Sequence, residues 1–412
     1  MTLRDRHVFA AAVAVVAIHT VTDAFVAREP GVELSDHAVS GLVPLALLAA
    51  GAAGYAVMRP GLRAVLVLAL GVLAIEGFAL TVADARAVGM HGDDWSGLAL
   101  APAGLALIAL GVALLWQSRK PHGHRFLRRS LLGAVAVLGV YWVLLPVGIA
   151  LLATHRPREP AETAELGRAS QPVTLRTADG LDVRGRYVTS RNGAAVIVFP
   201  GTAGRAAQAR ALVRHGYGVL MLDMRGYANS DGDPNMFGWS GAKDVDAGVA
   251  FLARRADVRD GRIGGLGFSV GGEVMMDAAA GNPALRAVVA DGAGERSVRE
   301  SRLRGRAGWL SLPSYLVQTT AVAVLSGDRP PPSLVDVAPK IAPRPLFLIG
   351  AGADNGGEDL QPHYLAAAKE PKAFWKIPEA GHTGGYAARP LEYARRLTAF
   401  FDAALLAPRR TR

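Results

Sequence analysis

Cysteine is absent from the chain of 412 residues. Disulfide bonds, thiol nucleophiles and cysteine metal sites are therefore excluded, and the redox compartment stays open. Charged residues are scarce as well, at 19% against 51% hydrophobic residues. The formal net charge is +10, but no basic stripe with interleaved aromatic residues accompanies it. We therefore expect no nucleic-acid partner.

Long apolar runs dominate the first 154 residues. Five segments each approach the roughly 20 residues that span a hydrocarbon core. They are residues 8–25, 38–58, 64–82, 97–116 and 130–153. Arg4 and Arg6 precede the first run, as in a signal peptide, but no small-x-small cleavage site follows it. The sequence therefore predicts a bundle of about five transmembrane helices, with the lipid bilayer as a partner.

The basic residues of the short loops predict an orientation in the cell membrane. Arginine and lysine are concentrated before the first span, between the second and third, and between the fourth and fifth (Arg4, Arg6, Arg59, Arg63, Arg119, Lys120, Arg125, Arg128 and Arg129). Cytoplasmic loops carry such an excess, so the N-terminus is predicted in the cytoplasm. Five crossings then place everything after about Ala153 outside the cytoplasm.

Three ionisable residues lie within the predicted spans. His19 and Asp23 share one face of the first helix, and Glu76 lies in the third. One hypothesis is a metal or proton site formed by all three. The other, which we favour because no recognised ligand spacing is present, is that His19 and Asp23 pair with each other and hold helices together.

A charged, proline-containing linker at residues 155–164 leads into a region of different composition at 165–408. Here buried-strand patterns alternate with helical ones, which favours a mostly parallel sheet flanked by helices. The strand patterns cover residues 173–177, 181–187, 195–199, 218–222, 261–264, 286–290, 345–349 and 373–377, and a last amphipathic helix covers about 391–405.

One motif stands between a predicted strand and a predicted helix. Residues Gly267–Gly271 have the pattern G-x-S-x-G, centred on Ser269. Glycines on both sides of a serine at a strand-to-helix turn are typical of a nucleophile elbow, which holds the hydroxyl clear of the sheet.

Several further motifs follow in a fixed order. Pro200-Gly201-Thr202-Ala203-Gly204 follows one strand, and Asp223-Met224-Arg225-Gly226-Tyr227 follows the next. Downstream of Ser269 come Ala342-Pro343-Arg344-Pro345 before a strand and Glu379-Ala380-Gly381-His382-Thr383 after the last one. With the elbow, these motifs resemble the α/β-hydrolase superfamily, in its serine-esterase and serine-peptidase-like branch. The resemblance covers nearly all of residues 165–408 and none of the membrane region.

The resemblance implies a Ser-His-acid triad and an oxyanion loop. Ser269 is the expected nucleophile and His382 its base. Asp354 is our choice for the acid, with Glu358 and Asp359 as alternatives, because this loop departs from the common spacing. The backbone N–H groups of Val270 and Thr202 are the expected oxyanion donors. Asp223, Arg225, Ser230 and Asp231 are expected to be architectural, and no metal or cofactor is expected.

The predicted function is a membrane-anchored serine hydrolase that acts on a carboxylic ester outside the cytoplasm. A peptidase or amidase of the same fold is the first alternative, and an acyl transferase is another. A third is a membrane transporter or sensor that carries an inert hydrolase-like domain. Residues 295–332, basic at first and then apolar, are expected to form a small lid, which favours a lipid-like acyl substrate.

Overall fold

The structure is a computed structural model that describes residues 3–26, 38–88, 90, 94–117, 124–155, 165–200, 203–352 and 358–407. The chain divides into two compact units, Met1–Leu145 and Pro146–Arg412. The second unit therefore includes the end of the fifth segment that the sequence assigns to the membrane.

The first unit is helical. Its helices are α1 (Leu3–Val21), α2 (Ala38–Tyr55), α3 (Pro60–Val88), α4 (Asp94–Leu98), α5 (Leu100–Gln117) and α6 (His124–Gly139). A π-helical segment, Thr22–Val26, extends α1, and another, Val140–Leu144, joins α6 to α7 (Leu145–Thr154). Glycines let α3 and α5 approach closely, since a Cβ on Gly71 would lie 3.0 Å from the carbonyl oxygen of Gly104. Such small-residue contacts are common between membrane helices.

Four helical stretches among the described residues are long and apolar enough to cross a membrane. They are Leu3–Val26, Pro60–Ala79, Asp94–Gln117 and Leu131–Thr154. They match the first, third, fourth and fifth predicted spans, so an apolar helical region before the α/β domain is confirmed. The predicted span 38–58 is the helix α2, but its apolar described part is shorter, Pro44–Tyr55.

The second unit is built on one eight-stranded sheet. Its strands are β1 (Gln171–Arg176), β2 (Asp182–Val188), β3 (Ala195–Phe199), β4 (Gly218–Leu222), β5 (Ile263–Phe268), β6 (Leu285–Asp291), β7 (Leu346–Ala351) and β8 (Lys372–Ile377). Their order is β1-β2-β4-β3-β5-β6-β7-β8. The first two strands pair antiparallel, β2 is antiparallel to β4, and the others run parallel. The predicted α/β-hydrolase-type sheet is confirmed.

Helices cover both faces of the sheet, so β3, β4, β5 and β7 are buried at every position and β6 is buried at every position except Arg286. The helices that follow α7 along the chain are α8 (Ala206–Arg214), α9 (Ala242–Ala253), α10 (Val270–Gly281), α11 (Val298–Leu303), α12 (Gly305–Ser326), α13 (Leu334–Ile341), α14 (Gln361–Ala367), α15 (Gly385–Ala388) and α16 (Pro390–Phe401). One core cluster packs under α9, α10, α13 and α14, and the other under α8 and α16. The segment predicted as a lid contains α11 and α12.

Strand order changes direction between β3 and β5. From β3 the chain moves to β4 on one side and then to β5 on the other. In parallel α/β sheets, the crevice at the carboxyl ends of such strands is the usual site for ligands. Phe199 and Pro200, at the end of β3, lie against Gly271, two residues after Ser269, at this point.

Candidate active site

Ser269 occupies a strained turn between β5 and α10. Its φ and ψ are 52° and −125°, a conformation that residues other than glycine rarely adopt. The turn is held by the Ser269 N–H, which donates to the carbonyl oxygen of Asp291 at 2.8 Å. The predicted elbow geometry is therefore present, with the hydroxyl at the carboxyl end of a central strand.

The two glycines of the motif are required by close backbone approaches. A Cβ on Gly267 would lie 2.2 Å from the Gly271 carbonyl oxygen. A Cβ on Gly271 would lie 2.3 Å from the carbonyl oxygen of Phe199, at the end of β3. No side chain fits at either distance, so the G-x-S-x-G pattern follows from the packing of the turn against β3 and α10.

His382 lies in the loop after β8 and contacts Ser269. Its Nε2 is 2.8 Å from Ser269 Oγ, and its Nδ1 is 2.5 Å from Glu358 Oε1. An ionised carboxylate only accepts hydrogen bonds, so Nδ1 carries the proton and Nε2 is left to accept from the serine hydroxyl. The imidazole is 26% exposed, which leaves one side of it open to a substrate.

The Glu358 side chain is buried and has a second hydrogen bond besides the one to His382. Its side chain is 2% exposed, and its Oε2 accepts the backbone N–H of Ala351 at 2.5 Å. Asp359 points elsewhere, with Oδ2 3.3 Å from Arg304 Nε. Asp354, the acid favoured by the sequence, lies outside the described residues. Among the described carboxylates, the partner of His382 Nδ1 is thus the first alternative, Glu358.

The oxyanion donors are described in part. Val270 is the first residue of α10, where backbone N–H groups have no partner within the helix and the helix dipole favours negative charge. Its position beside Ser269 fits the expected role. Thr202, the other expected donor, lies outside the described residues.

Two buried carboxyl groups that the sequence did not single out lie near the triad. Asp291 ends β6, and its Oδ2 accepts from the Tyr393 hydroxyl at 2.7 Å. Glu273, one turn into α10, accepts the N–H of Gly294 at 3.2 Å. Burial is the main cause that raises the pKa of each carboxyl to about 7. The sequence signal for Asp291 was its place at the end of a buried strand.

The loop after β4 is architectural, as expected. Arg225 donates to Asp244 at 2.9 and 2.7 Å and to Asp179 at 2.8 Å. The Ser230 hydroxyl accepts the backbone N–H of Arg184 at 2.9 Å. These bonds fix the β4 loop to β2 and α9.

Residues 153–381, more than half of the chain, match the X-Pro dipeptidyl-peptidase (S15) family. The uncharacterized protein Rv2307c of Mycobacterium tuberculosis (strain H37Rv) is 31% identical over 224 residues, 52% of this chain and 73% of that relative. The uncharacterized protein YfhR of Escherichia coli K12 is 26% identical over 236 residues, 54% of this chain and 76% of its own.

Among solved structures, the Pyrococcus furiosus esterase Pf2001 has a TM-score of 0.48 and 20% sequence identity, over 61% of this chain and 98% of its own. The fold, the Ser269–His382 contact and the family match agree. The chain is a serine hydrolase of the α/β-hydrolase fold, and it belongs to the X-Pro dipeptidyl-peptidase (S15) family.

Proposed function

We propose that this protein is a membrane-anchored hydrolase that cleaves a carboxylic ester through an acyl-enzyme, with Ser269, His382 and Glu358 as its triad. The observation that carries the proposal is the pair of hydrogen bonds on His382, 2.8 Å to Ser269 Oγ and 2.5 Å to Glu358 Oε1. A neutral serine hydroxyl is a poor nucleophile, and a base at this distance activates it. Glu358 replaces Asp354 as our choice of acid.

In the acylation step, Ser269 Oγ attacks the ester carbonyl carbon while its proton moves to His382 Nε2. Glu358 stabilises the imidazolium and holds its ring. The N–H groups of Val270 and Thr202 would bind the carbonyl oxygen as it becomes negative. His382 then gives its proton to the leaving alkoxide, and the acyl group stays on Ser269.

Deacylation repeats these roles with water in place of the serine hydroxyl. His382 Nε2 takes a proton from the water, which attacks the acyl carbon. The proton then returns to Ser269 Oγ as that bond breaks. Every proton passes through one imidazole, so one fixed tautomer serves both half-reactions.

A peptidase is the second candidate, and the family match favours it. The same triad cleaves amides when the histidine protonates the leaving amine. The description of the family suggests a dipeptide ending in proline as the acyl part. An ester and an X-Pro amide differ in the leaving group, so parallel assays of both substrate types distinguish the two candidates.

Labelling of the serine tests the shared chemistry. A fluorophosphonate probe should label the wild-type full chain in detergent, and Ser269→Ala should abolish both labelling and hydrolysis. Ser170→Ala, which removes a serine from outside the site, is the matched control. An unlabelled wild type would contradict the proposal and favour an inert hydrolase-like domain on a transporter or sensor.

Substrate type is then read from a panel. Short p-nitrophenyl esters and X-Pro p-nitroanilides are compared by kcat/KM on the wild type and Ser269→Ala. Preference for esters supports the favoured function, and preference for X-Pro anilides supports the peptidase. Labelling without turnover of either would leave the serine chemistry intact and reject both substrate classes.

We also propose that α2 crosses the membrane, with the N-terminus in the cytoplasm and the hydrolase unit outside. If α1, α3 and α5 cross the membrane, the basic groups near Arg4, Arg59 and Arg128 share one side only when α2 crosses as well. Because the chain has no cysteine, a single introduced cysteine is the only thiol that can be labelled. Leu391→Cys, at a position 87% exposed, reports whether a membrane-impermeant maleimide reaches the hydrolase unit from outside the cell. Labelling only after lysis would show that the hydrolase unit lies in the cytoplasm.

A further inference from the structure

Helix α12 has an uncharged surface of unusual extent. Residues 307–326 include no Asp, Glu, Lys or Arg. Along one face, Trp309, Leu316 and Val324 are 59%, 46% and 78% exposed. Pro313, which is half-buried, and Thr320, which is exposed, fall between them at helical spacing, so the five residues form one stripe. Contiguous exposed apolar surface of this kind marks an interaction site.

The opposite face of α12 is packed inward. Gly308 is buried, and a Cβ there would lie 1.7 Å from the carbonyl oxygen of Ser301. Val322, fourteen residues along, is 1% exposed. The apolar stripe is therefore not the side of the helix that packs on the hydrolase unit, and packing within that unit does not account for it.

Helix α12 lies beside the end of a membrane-spanning stretch. Its residue Val322 clusters with Trp239 and with Ala150 of α7. The Met236 N–H also donates to the carbonyl oxygen of Ala153 at 3.1 Å. Helix α7 is the end of the apolar stretch Leu131–Thr154, and all of it except Leu145 belongs to the same compact unit as α12. The inference rests on the proposal that this stretch crosses the membrane, and a helix packed against its last turns then lies at the level of the bilayer surface.

Positive charge is placed at the ends of α12. Arg302 and Arg306 are exposed at its start, and Arg329 is exposed after its last residue. The Arg302 guanidinium stacks over the Trp309 ring at 5.5 Å from its centroid. Tryptophan and arginine beside an apolar face are typical of helices that lie in a membrane interface, where the cations contact anionic headgroups.

From these contacts we propose that the exposed stripe of α12 (Trp309, Pro313, Leu316, Thr320 and Val324) is a membrane-docking surface. It inserts shallowly into the same bilayer that holds the chain, with the arginines at the headgroups. The partner is a lipid surface that contains anionic lipid. The proposal concerns attachment of the hydrolase unit and does not depend on which bond the enzyme cleaves.

A single-cysteine experiment on the full chain in proteoliposomes tests it. Leu316→Cys and Val324→Cys carry an environment-sensitive fluorophore, and Leu391→Cys, an exposed leucine on α16, is the matched control. The vesicles contain phosphatidylcholine with 30% phosphatidylglycerol. Nitroxide-bearing lipid should quench the α12 probes, and iodide should quench them at least about five-fold less than the Leu391→Cys probe.

Two outcomes would overturn the proposal. Equal iodide quenching at positions 324 and 391 means that the stripe faces water. Protection from both quenchers means that protein covers it, a second copy of the chain included. If a variant fails to fold, Thr320→Cys places the probe on the same stripe with a smaller change. The readout is physical, so it stands even if the proposed ester activity fails.

Discussion

The sequence contains two sets of candidate functional residues, and they differ in how their side chains are bonded in the structure. In the helical unit, His19 Nδ1 lies 3.0 Å from Ser96 Oγ, and Glu76 accepts from the Tyr141 hydroxyl at 2.9 Å. In the hydrolase unit, Ser269, Glu358 and His382 come together from three loops. His19 and Glu76 take separate partners, whereas the second set forms one chain of bonds.

The difference follows from the two architectures. Among the described residues no group of three or more His, Cys, Asp or Glu is placed to hold a metal ion. Packed helices bring side chains together in pairs, and each polar group in an apolar environment takes the nearest hydroxyl. A parallel sheet instead brings the ends of all its strands to one edge, so residues distant in sequence meet there.

The largest expected effect is at the acid. Glu358→Gln keeps the shape but cannot stabilise the imidazolium, so kcat for ester hydrolysis should fall by about 10³–10⁴. Asp359→Asn changes the neighbouring carboxylate, which contacts Arg304, and should stay within three-fold of wild type. Steady-state kinetics measures both. A larger loss in Asp354→Asn than in Glu358→Gln would return the role to Asp354.

The second largest effect is expected from a substitution that crowds the triad. A Cβ on Gly292 would lie 2.6 Å from Thr383 Cγ2 and 3.1 Å from His382 Cε1, whereas one on Gly305 has no neighbour within 4 Å. Both glycines have positive φ, 72° and 66°, so both alanine variants carry similar backbone strain. Gly292→Ala should lower kcat by about 10²-fold, since small misplacements of catalytic groups are costly. Gly305→Ala should change it less than three-fold, and equal losses would refute the crowding argument.

Stability should depend on pH through Asp291. Its folded pKa is raised to about 7, mainly by burial, while unfolded aspartate ionises near 4. As pH rises from about 4 to about 7, the unfolded state loses the proton first, and stability is lost across that window. Asp291→Asn does not ionise, so its Tm should exceed that of wild type by several degrees more at pH 8 than at pH 4. Thermal unfolding in detergent measures this, and a pH-independent difference would contradict it.

The smallest effect is expected in the helical unit. His19→Leu and Glu76→Gln should change hydrolysis less than about two-fold. Loss of one hydrogen bond should cost on the order of 1 kcal/mol of stability. Tyr141→Phe removes the hydroxyl that donates to Glu76 and serves as the control, because a glutamine amide oxygen at position 76 can still accept this bond. Bound metal in the purified wild type that disappears in these variants would revive the metal site.

Local pattern was enough to propose Ser269 and His382 as a pair, because each lies in its own loop beside a strand end, and their side chains are in contact. The acid was harder to predict. Asp354, Glu358 and Asp359 lie within six positions, and the choice among them depends on the path of the loop after β7. Glu358 reaches His382 from a 3₁₀ turn, where its longer side chain spans the gap. No periodicity in the sequence encodes that path.

The buried carboxyl groups were missed for a related reason. Glu273 has the pattern of an ordinary polar position of a helix, yet it is buried, and its carboxylate accepts the N–H of Gly294 from the segment after β6. In the helical unit, apolar length predicted the helices well. The predicted span 38–58 begins at the first residue of α2 and ends three residues beyond its last, Tyr55.

The separation of Ser269 from its base along the chain has a consequence during protein synthesis. His382 follows the serine by 113 residues, so the ribosome makes the nucleophile well before the residue that activates it. At roughly 5–20 residues per second the interval is about 6–23 s. Throughout it the nascent chain carries a serine that its base has not yet activated.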